Sequence, residues 1–475
     1  MRKFCLGLYA FLHYFHSSSQ DTQYWTQQFG TRSALLGGSI VGSVNDNTAL
    51  YYNPGALGFI DTGSLSINAN IYGIENIRIF NAAGNKADFR SSQVSTVPLL
   101  FGGMIPNRKN AWRFSYGLMA PVDFNFKSTA RLDGNFAIVN DNESPGQESL
   151  IAQADLSTRV TEMLGGFGAG RQLNENWSIG ITGFIGVRSQ VYSRTLLARF
   201  YLNPGEELVT GNLIQNLNYY HVRFIPKLGV AWRKGQWDLG LTITAPSIAL
   251  FGKGTVAADA TGTNILPPSG DTRIDFLAND RQEKLKTTFK SPFSVSGGAA
   301  YSFGRSQING TVAWYGKVAM YDIIRAKAAA FARPPDAYPE LTSDEFLRVR
   351  TAARPVFNFA FGYEYILNPK VTLDISYRND QTYFDTDLND MRGIKPDLSS
   401  WDIHHFTVGG TIRKNRSELS VGLAISNGKD GNREQSGNLS KPSESNLLQG
   451  ETTITEAKYS SFGFLLGYTY SFRKF

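Results

Sequence analysis

Between Leu65 and Phe472 apolar and polar residues alternate with a period of two, in one segment after another. In SLSINANIY the apolar set is Leu65, Ile67, Ala69 and Ile71, with Ser66, Asn68 and Asn70 between them. The pattern recurs at Trp177, Ile179, Ile181, Ile185 and Val187, and at Trp237, Leu239, Leu241 and Ile243. It returns at Phe357, Phe359, Phe361, Tyr363 and Tyr365, and closes with Phe462, Phe464, Leu466, Tyr468, Tyr470 and Phe472. A strand turns successive side chains to opposite faces, so each segment reads as a strand with one apolar face. With the weaker segments included there are fourteen, at roughly 63–72, 97–105, 111–127, 157–172, 176–194, 217–232, 236–250, 288–303, 307–320, 354–366, 370–382, 402–413, 417–427 and 459–472.

The connections alternate in length. PNRKN (106–110), LNEN (173–176), RKGQ (233–236), GRSQ (304–307), LNPK (367–370) and KNRS (414–417) are short, and 128–156, 251–287, 321–353 and 428–458 are long and polar. A soluble sandwich has no reason to sort its loops by length onto opposite ends. An outer-membrane barrel does, with short periplasmic turns at one rim and long extracellular loops at the other. The alternation then means large apolar residues outward and Ser, Thr, Asn, Gly and Arg inward, the reverse of a soluble barrel. The predicted fold class is all-β: a 14-stranded antiparallel transmembrane β-barrel.

Composition agrees. Glycine, at 47 residues, equals Lys and Arg together, aromatic residues make up 13% and charged residues 18%. No apolar run reaches the length of a membrane-spanning helix. Arg2 and Lys3 precede the apolar run Phe4–Phe15, and HSSSQ follows, which is the layout of a secretory signal. Residues 1–19 are therefore expected to be a signal peptide. Cys5 lies within it, so the mature chain has neither disulfide nor thiol chemistry. Removing Arg2 and Lys3 and no acid lowers the net charge from +7 to +5, and no Lys/Arg block suggests nucleic acid. The expected location is the bacterial outer membrane.

The segment 20–62 does not alternate. It carries turn chemistry instead: Gly37-Gly38, Asn45-Asp46-Asn47 and Asn53-Pro54-Gly55. A fourteen-stranded barrel left empty would be an aqueous channel, so this segment reads as an N-terminal hatch inside the lumen, with 63–475 as the barrel. At this point the residues resemble a known family. FGTRSALLGGSIVGSVNDNTALYYNPGAL is similar to the hatch of the FadL/OmpP1/TodX family of outer-membrane transporters for long-chain fatty acids and hydrophobic compounds. Asp46, Thr48, Tyr51, Tyr52, Asn53 and Pro54 match its pattern, while Gly55-Ala56 stands in the reverse of the family's Ala-Gly order. KSPFSVSGGAAYSF (290–303) and FNFAFGYEYILNPKVTLDISY (357–377) resemble its middle and late hairpins. The resemblance implies passive uptake of hydrophobic small molecules through an outer groove, an internal pocket beside the hatch and a lateral wall opening. It also implies no cofactor, and as partners a hydrophobic ligand and outer-membrane lipid. A second reading is a barrel that serves as a docking or shuttle component of protein secretion.

Five further expectations follow. The regular outward set Trp112, Phe114, Tyr116 and Leu118 runs into Ala120-Pro121-Val122, where proline cannot donate to a closed ladder. Pro121 marks either the outer end of the strand or a kink that opens the wall, and the family's opening lies at a third-strand kink. In 318–354, AKAAAFA and LTSDEFLRVRTAA can form short helices, and Phe331, Tyr338 and Phe346 either line a ligand groove or cap the barrel mouth. GYTYSF (467–472) resembles the terminal-strand signal read by outer-membrane assembly machinery, with Arg473 to Phe475 as an overhang or the mark of a bulge. Finally, His221, His404 and His405 give no catalytic arrangement, because His404 and His405 fall on opposite faces of one strand. NDNES (140–144) and 387–397 lack EF-hand spacing, so no metal site is expected.

Overall fold

The computed structural model describes residues 21–472 except 106–110, 140, 206, 267–271, 334–341, 389–392, 436–438, 440, 445–446 and 449–452. The expected signal peptide, the expected turn at 106–110, Tyr338 and Arg473 to Phe475 lie outside the described residues. The chain opens with two single-turn helices, α1 (Thr31–Leu35) and α2 (Ala49–Tyr52), and a 3-10 helix (Pro54–Phe59). The wall follows as β1 (Ser64–Ile79), β2 (Phe89–Ile105), β3 (Trp112–Phe136), β4 (Glu148–Gln172), β5 (Trp177–Tyr201) and β6 (Leu208–Lys234). The seventh wall position is shared by β7 (Trp237–Thr244) and β8 (Ile248–Ile265), and the eighth by β9 (Ile274–Lys286) and β10 (Ser294–Phe303). After β11 (Ser306–Tyr315), one connection holds β12 (Val318–Ile324), β13 (Ala332–Arg333), the turn α3 (Ser343–Phe346) and β14 (Val349–Ala353). The wall ends with β15 (Val356–Asn368), β16 (Val371–Asp380), β17 (Asp402–Lys414), β18 (Ser417–Gln435) and β19 (Thr453–Ser471).

Each wall strand pairs antiparallel with its neighbours, and β19 closes on β1 from Ser64↔Ser471 to Ile79↔Ala457. The result is a closed fourteen-stranded barrel. Its large apolar side chains face outward and are exposed, including Ile181, Leu228, Phe361, Ile375, Val408 and Phe462. In water such a surface would aggregate; against lipid it is the stable face. On β19 the outward apolar run from Phe462 to Phe472 covers roughly 24 Å of height at the usual strand tilt, close to the hydrocarbon band of an outer membrane.

All fourteen strands read from the sequence are present, and their periplasmic ends lie close to the expected positions. The upper ends of β1–β6, β8, β9, β18 and β19 run much further, whereas those of β11, β15, β16 and β17 stop at or just short of the expected positions. The connections expected over 128–156, 251–287 and 428–458 are largely strand: β3 and β4 stay paired up to Phe136↔Glu148, and β8 and β9 pair up to Ile265↔Ile274. Above the lipid the outward positions become charged, as at Arg131, Asp133, Arg281 and Glu283, so the alternation that marks a strand in lipid disappears. The helix expected at AKAAAFA is also absent. Ala332 pairs with Ala278 of β9, Asn279 N–H donates to the Phe331 carbonyl, and Ala330 bridges to Thr342, so a free sheet edge overrides helix propensity. The second segment forms only the single turn of α3.

The inner face changes character with height. Below, it is polar and bonds to the hatch through Ser66, Ser115, Asn309 and Thr311. Above, Phe124, Phe126, Val160, Leu196, Phe200 and Val256 join Phe331, Leu347 and Trp401 in an apolar core that fills the mouth. With this topology, proteolysis of intact cells should cut within 137–147 or 436–452 and spare RKGQ and KNRS. Mass spectrometry of the released peptides checks it, and cleavage at those short turns would invert the orientation.

Candidate functional site

Residues 21–62 fold inside the lumen, tied to the wall along their length. The first part climbs β16: Asp380 accepts from Trp25 N–H and Thr26 Oγ1 at 3.1 Å each, and Arg378 donates to the carbonyls of Trp25 (3.2 Å) and Thr26 (2.7 Å). It ends under the 381–401 connection, where Asp21 accepts from Leu398 N–H (2.7 Å) and Ser399 N–H (3.0 Å). Lower down, Arg32 of α1 donates to Glu364 (2.7 Å) and Gln307 (2.5 Å).

The residues matched to the hatch pattern come together in one stretch. Just ahead of α2, Asp46 accepts from Thr48 N–H (2.8 Å) and from its hydroxyl. Tyr52 Oη donates to Gln28 and accepts from Phe29 N–H, both at 2.9 Å, and its ring meets that of Tyr51 edge-on. Burial pushes both phenols above their ordinary range, so they stay neutral. Asn53 Nδ2 donates to the carbonyls of Val41 and Val230 at 3.0 Å each, while its Oδ1 accepts from Gly55 N–H at 3.0 Å. Here the hatch backbone touches the wall. A Cβ on Gly55 would fall 2.7 Å from the backbone of Gly229 and Val230, and one on Gly180 would overlap the Pro54 carbonyl. That accounts for the Gly-Ala order: the position beside the wall has no room for a side chain.

Ala120 and Pro121 form a bulge within β3, not its outer end. Met119 pairs with Leu164 and Val122 with Glu162, so two residues stand opposite Met163. The phase flips there: Ser115, Gly117 and Met119 face inward below, Val122, Phe124 and Phe126 above. The β2–β3 ladder runs from Ile105↔Phe114 to Leu100↔Met119 and stops. Higher up, Gln93 Nε2 donates to the Asn125 carbonyl and Arg90 N–H to Ser128 Oγ (2.7 Å). A second interruption occupies 245–247 and 287–293, between the β7–β10 ladder and the β8–β9 ladder, and Pro226 sits beside it through Ala245 N–H.

An internal cavity of about 160 Å³ lies between hatch and wall, reaching Tyr51, Tyr52, Pro121, Val122, Arg188 and Arg223. Arg223 donates to Glu162 at 2.6 Å and Arg188 at 3.5 Å, and both guanidinium groups lie over the Phe289 ring. Two buried cations thus share one carboxylate, and Nε and Nη2 of Arg188 and Nη1 of Arg223 have no hydrogen-bond partner among the described residues. Lys227 closes the floor, donating to the Tyr51 carbonyl at 2.6 Å. A larger cavity of about 320 Å³ opens above, lined by Phe89, Leu196, Arg194, Arg350, Arg433 and Asp397. Burial and then the neighbouring Asp21 carboxylate push Asp397 up to about 7. Pro396, which lines the upper cavity, accepts from Gln190 (3.4 Å), and Gln190 accepts in turn from Tyr219 Oη (3.0 Å).

The rings of Phe331 and Phe346 pack at a tilt, 4.7 Å apart, within the apolar core, and neither lines these two cavities. His404 faces out and bonds Tyr377; His405 faces in and bonds Ser426. The sequence reading did not find Glu162, Arg188, Arg223 or Lys227. Each occupies an inward position where a polar residue is ordinary, and the only signal was an arginine between apolar neighbours, as in Val222-Arg223-Phe224.

A sealed, lipid-facing barrel with its own N-terminal segment folded in the lumen defines the class of hatch-plugged β-barrels. Within that class the chain has the FadL/TodX fold. A Pseudomonas aeruginosa FadL homologue superposes with a TM-score of 0.61 at 15% identity, covering 95% of this chain and 100% of the homologue. The P. putida toluene transporter TodX gives 0.56 at 15%, covering 94% and 99%. The Ralstonia pickettii toluene transporter TbuX gives 0.55 at 13%, again covering 94% and 99%. No protein-family model matches the chain, and no curated protein matches it in sequence.

The hatch contacts predict the behaviour of two variants. Gly55→Val should leave the barrel folded, with normal heat-modifiable migration, but displace the hatch, so that planar-bilayer recordings show small-ion conductance where the unmodified protein shows none. Deleting 20–62 removes the filling but no strand and should conduct more. A deleted barrel that stays closed would refute the plug.

Proposed function

We propose that the protein takes up hydrophobic compounds with an anionic head, long-chain fatty acids or similar, passively across the outer membrane. The observation that carries this reading is the Arg188–Arg223 pair, two buried cations with one carboxylate between them at the wall of a cavity that touches Pro121. Leaving buried cationic hydrogens unsatisfied is costly, and a ligand carboxylate relieves that cost. A neutral hydrocarbon does not. Solved channels of this fold include both a FadL homologue and toluene transporters, so the charge in the pocket supports one ligand class over the other.

The inner cavity is close to the ~150 Å³ that holds one benzene ring. It accommodates a head and its first carbons, while the tail extends toward the upper cavity or the wall. The ligand enters from the upper cavity, rests with its carboxylate on Arg188 and Arg223, and leaves sideways beside Pro121, where the β2–β3 ladder stops. Ala120, Pro121 and Val122 form the exit, and the hatch stretch Asp46 to Ala56 keeps the lumen closed to ions.

Two experiments test this in cells lacking other transporters. Arg188→Gln with Arg223→Gln should cut uptake of a fluorescent long-chain fatty acid by roughly ten- to a hundredfold, as expected for losing charge-assisted bonds. Uptake of the matching neutral alcohol should be unchanged, and an equal fall in both would remove the anionic-head reading. A disulfide engineered between β2 and β3 across the gap, and Pro121→Ala, should each slow uptake, whereas a disulfide across the 245–247 and 287–293 interruption should not. The reverse result would move the exit there.

A further inference from the structure

The register of the wall places three rows of outward side chains across five adjacent strands, β17, β18, β19, β1 and β2. The lowest row is apolar: Phe406↔Ile425, Ile425↔Phe462, Phe462↔Ile74 and Ile74↔Val94. Above it every outward side chain is short or neutral-polar: His404↔Asn427, Asn427↔Ser460, Ser460↔Asn76 and Asn76↔Ser92. The third row is charged: Asp402↔Lys429, Lys429↔Lys458, Lys458↔Arg78 and Arg78↔Arg90. All three lie on the outer surface at the top of the apolar band, the height of the lipid headgroups.

The charged row is unfavourable on its own. Like charges directly opposite each other destabilise a sheet, and here three such pairs follow in succession. Two carboxylates answer them, both from above: Asp88 holds Arg78 (2.6 Å) and Arg90 (3.0 Å), and Glu456 holds Lys429 (3.3 Å) and Lys458 (2.6 Å). Asp402, at the end of the row, is engaged by Arg354. Four cations therefore face two carboxylates, and the positive surplus faces downward over the row of short side chains. That row opens a recess of about 910 Å³, lined by the four cations and Asp402 above and by Asn76, Ser92, His404, Asn427 and Ser460.

We propose that this recess binds the headgroup of an outer-leaflet glycolipid carrying two phosphates, with its acyl chains lying on the Phe406–Val94 row. The charge pattern argues for two phosphates. The cations form two pairs, each sharing one carboxylate and spanning adjacent strands, and the row from Lys429 to Arg90 covers roughly 14 Å at ordinary strand spacing, more than one phosphate fills. The sheet argues for a lipid rather than a soluble phosphate compound, because the recess opens directly onto the apolar row. Arg90 lies on β2, so the bound glycolipid stands beside the gap between β2 and β3. The proposal is independent of the reading of the internal pocket.

The test uses the full-length protein in detergent, offered diphosphorylated lipid A, its monophosphoryl form, its fully dephosphorylated form and phosphatidylglycerol, with bound lipid counted by native mass spectrometry. Diphosphorylated lipid A should be retained best, falling roughly fivefold for each charge removed from lipid or protein, the strength expected of a basic residue at an anionic membrane surface. Arg78→Gln with Arg90→Gln, and Lys429→Gln with Lys458→Gln, should each abolish the difference between the di- and monophosphorylated forms. Heat-modifiable migration reports whether the variants fold; if they do not, the four lipids on the unmodified protein decide the matter. Equal retention of the dephosphorylated form or of phosphatidylglycerol would overturn the proposal, as would folded variants that bind like the parent.

Discussion

Closing a sheet removes its edges, and closing one of fourteen strands leaves an interior wider than inward side chains can span. The rest of the structure is an answer to that empty space. From below it is filled by residues 21–62, which come so near the wall that Gly180, Gly229 and Gly55 leave no room for a Cβ. From above it is filled by the apolar core around Phe124, Phe200, Phe331 and Trp401. The two fillings meet where Gln23 donates to the Trp401 carbonyl and Asp21 accepts from Leu398 N–H, and beside that contact they leave the cavity at Arg188 and Arg223.

The same constraint explains the polarity of the inner face. A plug made of turns presents many backbone N–H and C=O groups, and once buried they need partners. The lower wall supplies them: Ser376 donates to Leu35 O, Thr242 to Tyr52 O, Lys227 to Tyr51 O and Arg233 to Val44 O. The Ser, Thr, Asn and Arg pattern on that face therefore serves the hatch backbone rather than a water-filled lumen. Where no hatch is present, higher up, the inner face turns apolar.

What could be read from the chain follows the same division. The strands were legible wherever lipid demands an apolar outward face, so Leu65 and Ile67, or Phe462 to Phe472, announced themselves. They faded where β3, β4, β8 and β9 rise out of the lipid and outward positions such as Arg131 and Arg281 are free to be charged. The hatch was visible through Asn53, Pro54 and the paired glycines, because turn chemistry is local. Pro121 pointed to a break in the wall for the same reason. The cluster of Glu162, Arg188 and Arg223 was not visible, since it is assembled across β4, β5 and β6 by register, and nothing within one strand sets an inward arginine apart.

The outward rows carry a single requirement, that the side chain be apolar, and Leu, Ile, Val, Phe and Tyr satisfy it interchangeably. The inward glycines carry a geometric requirement that no other residue meets. Chains built to this plan can therefore exchange most of their residues without changing shape, and 13–15% identity over nearly the full length of a FadL homologue, TodX and TbuX is what such freedom permits. The sequence memory of the architecture is held in 21–62 and in glycines scattered through a wall of otherwise replaceable positions. The shape of such a barrel is therefore held most tightly by its least bulky residues.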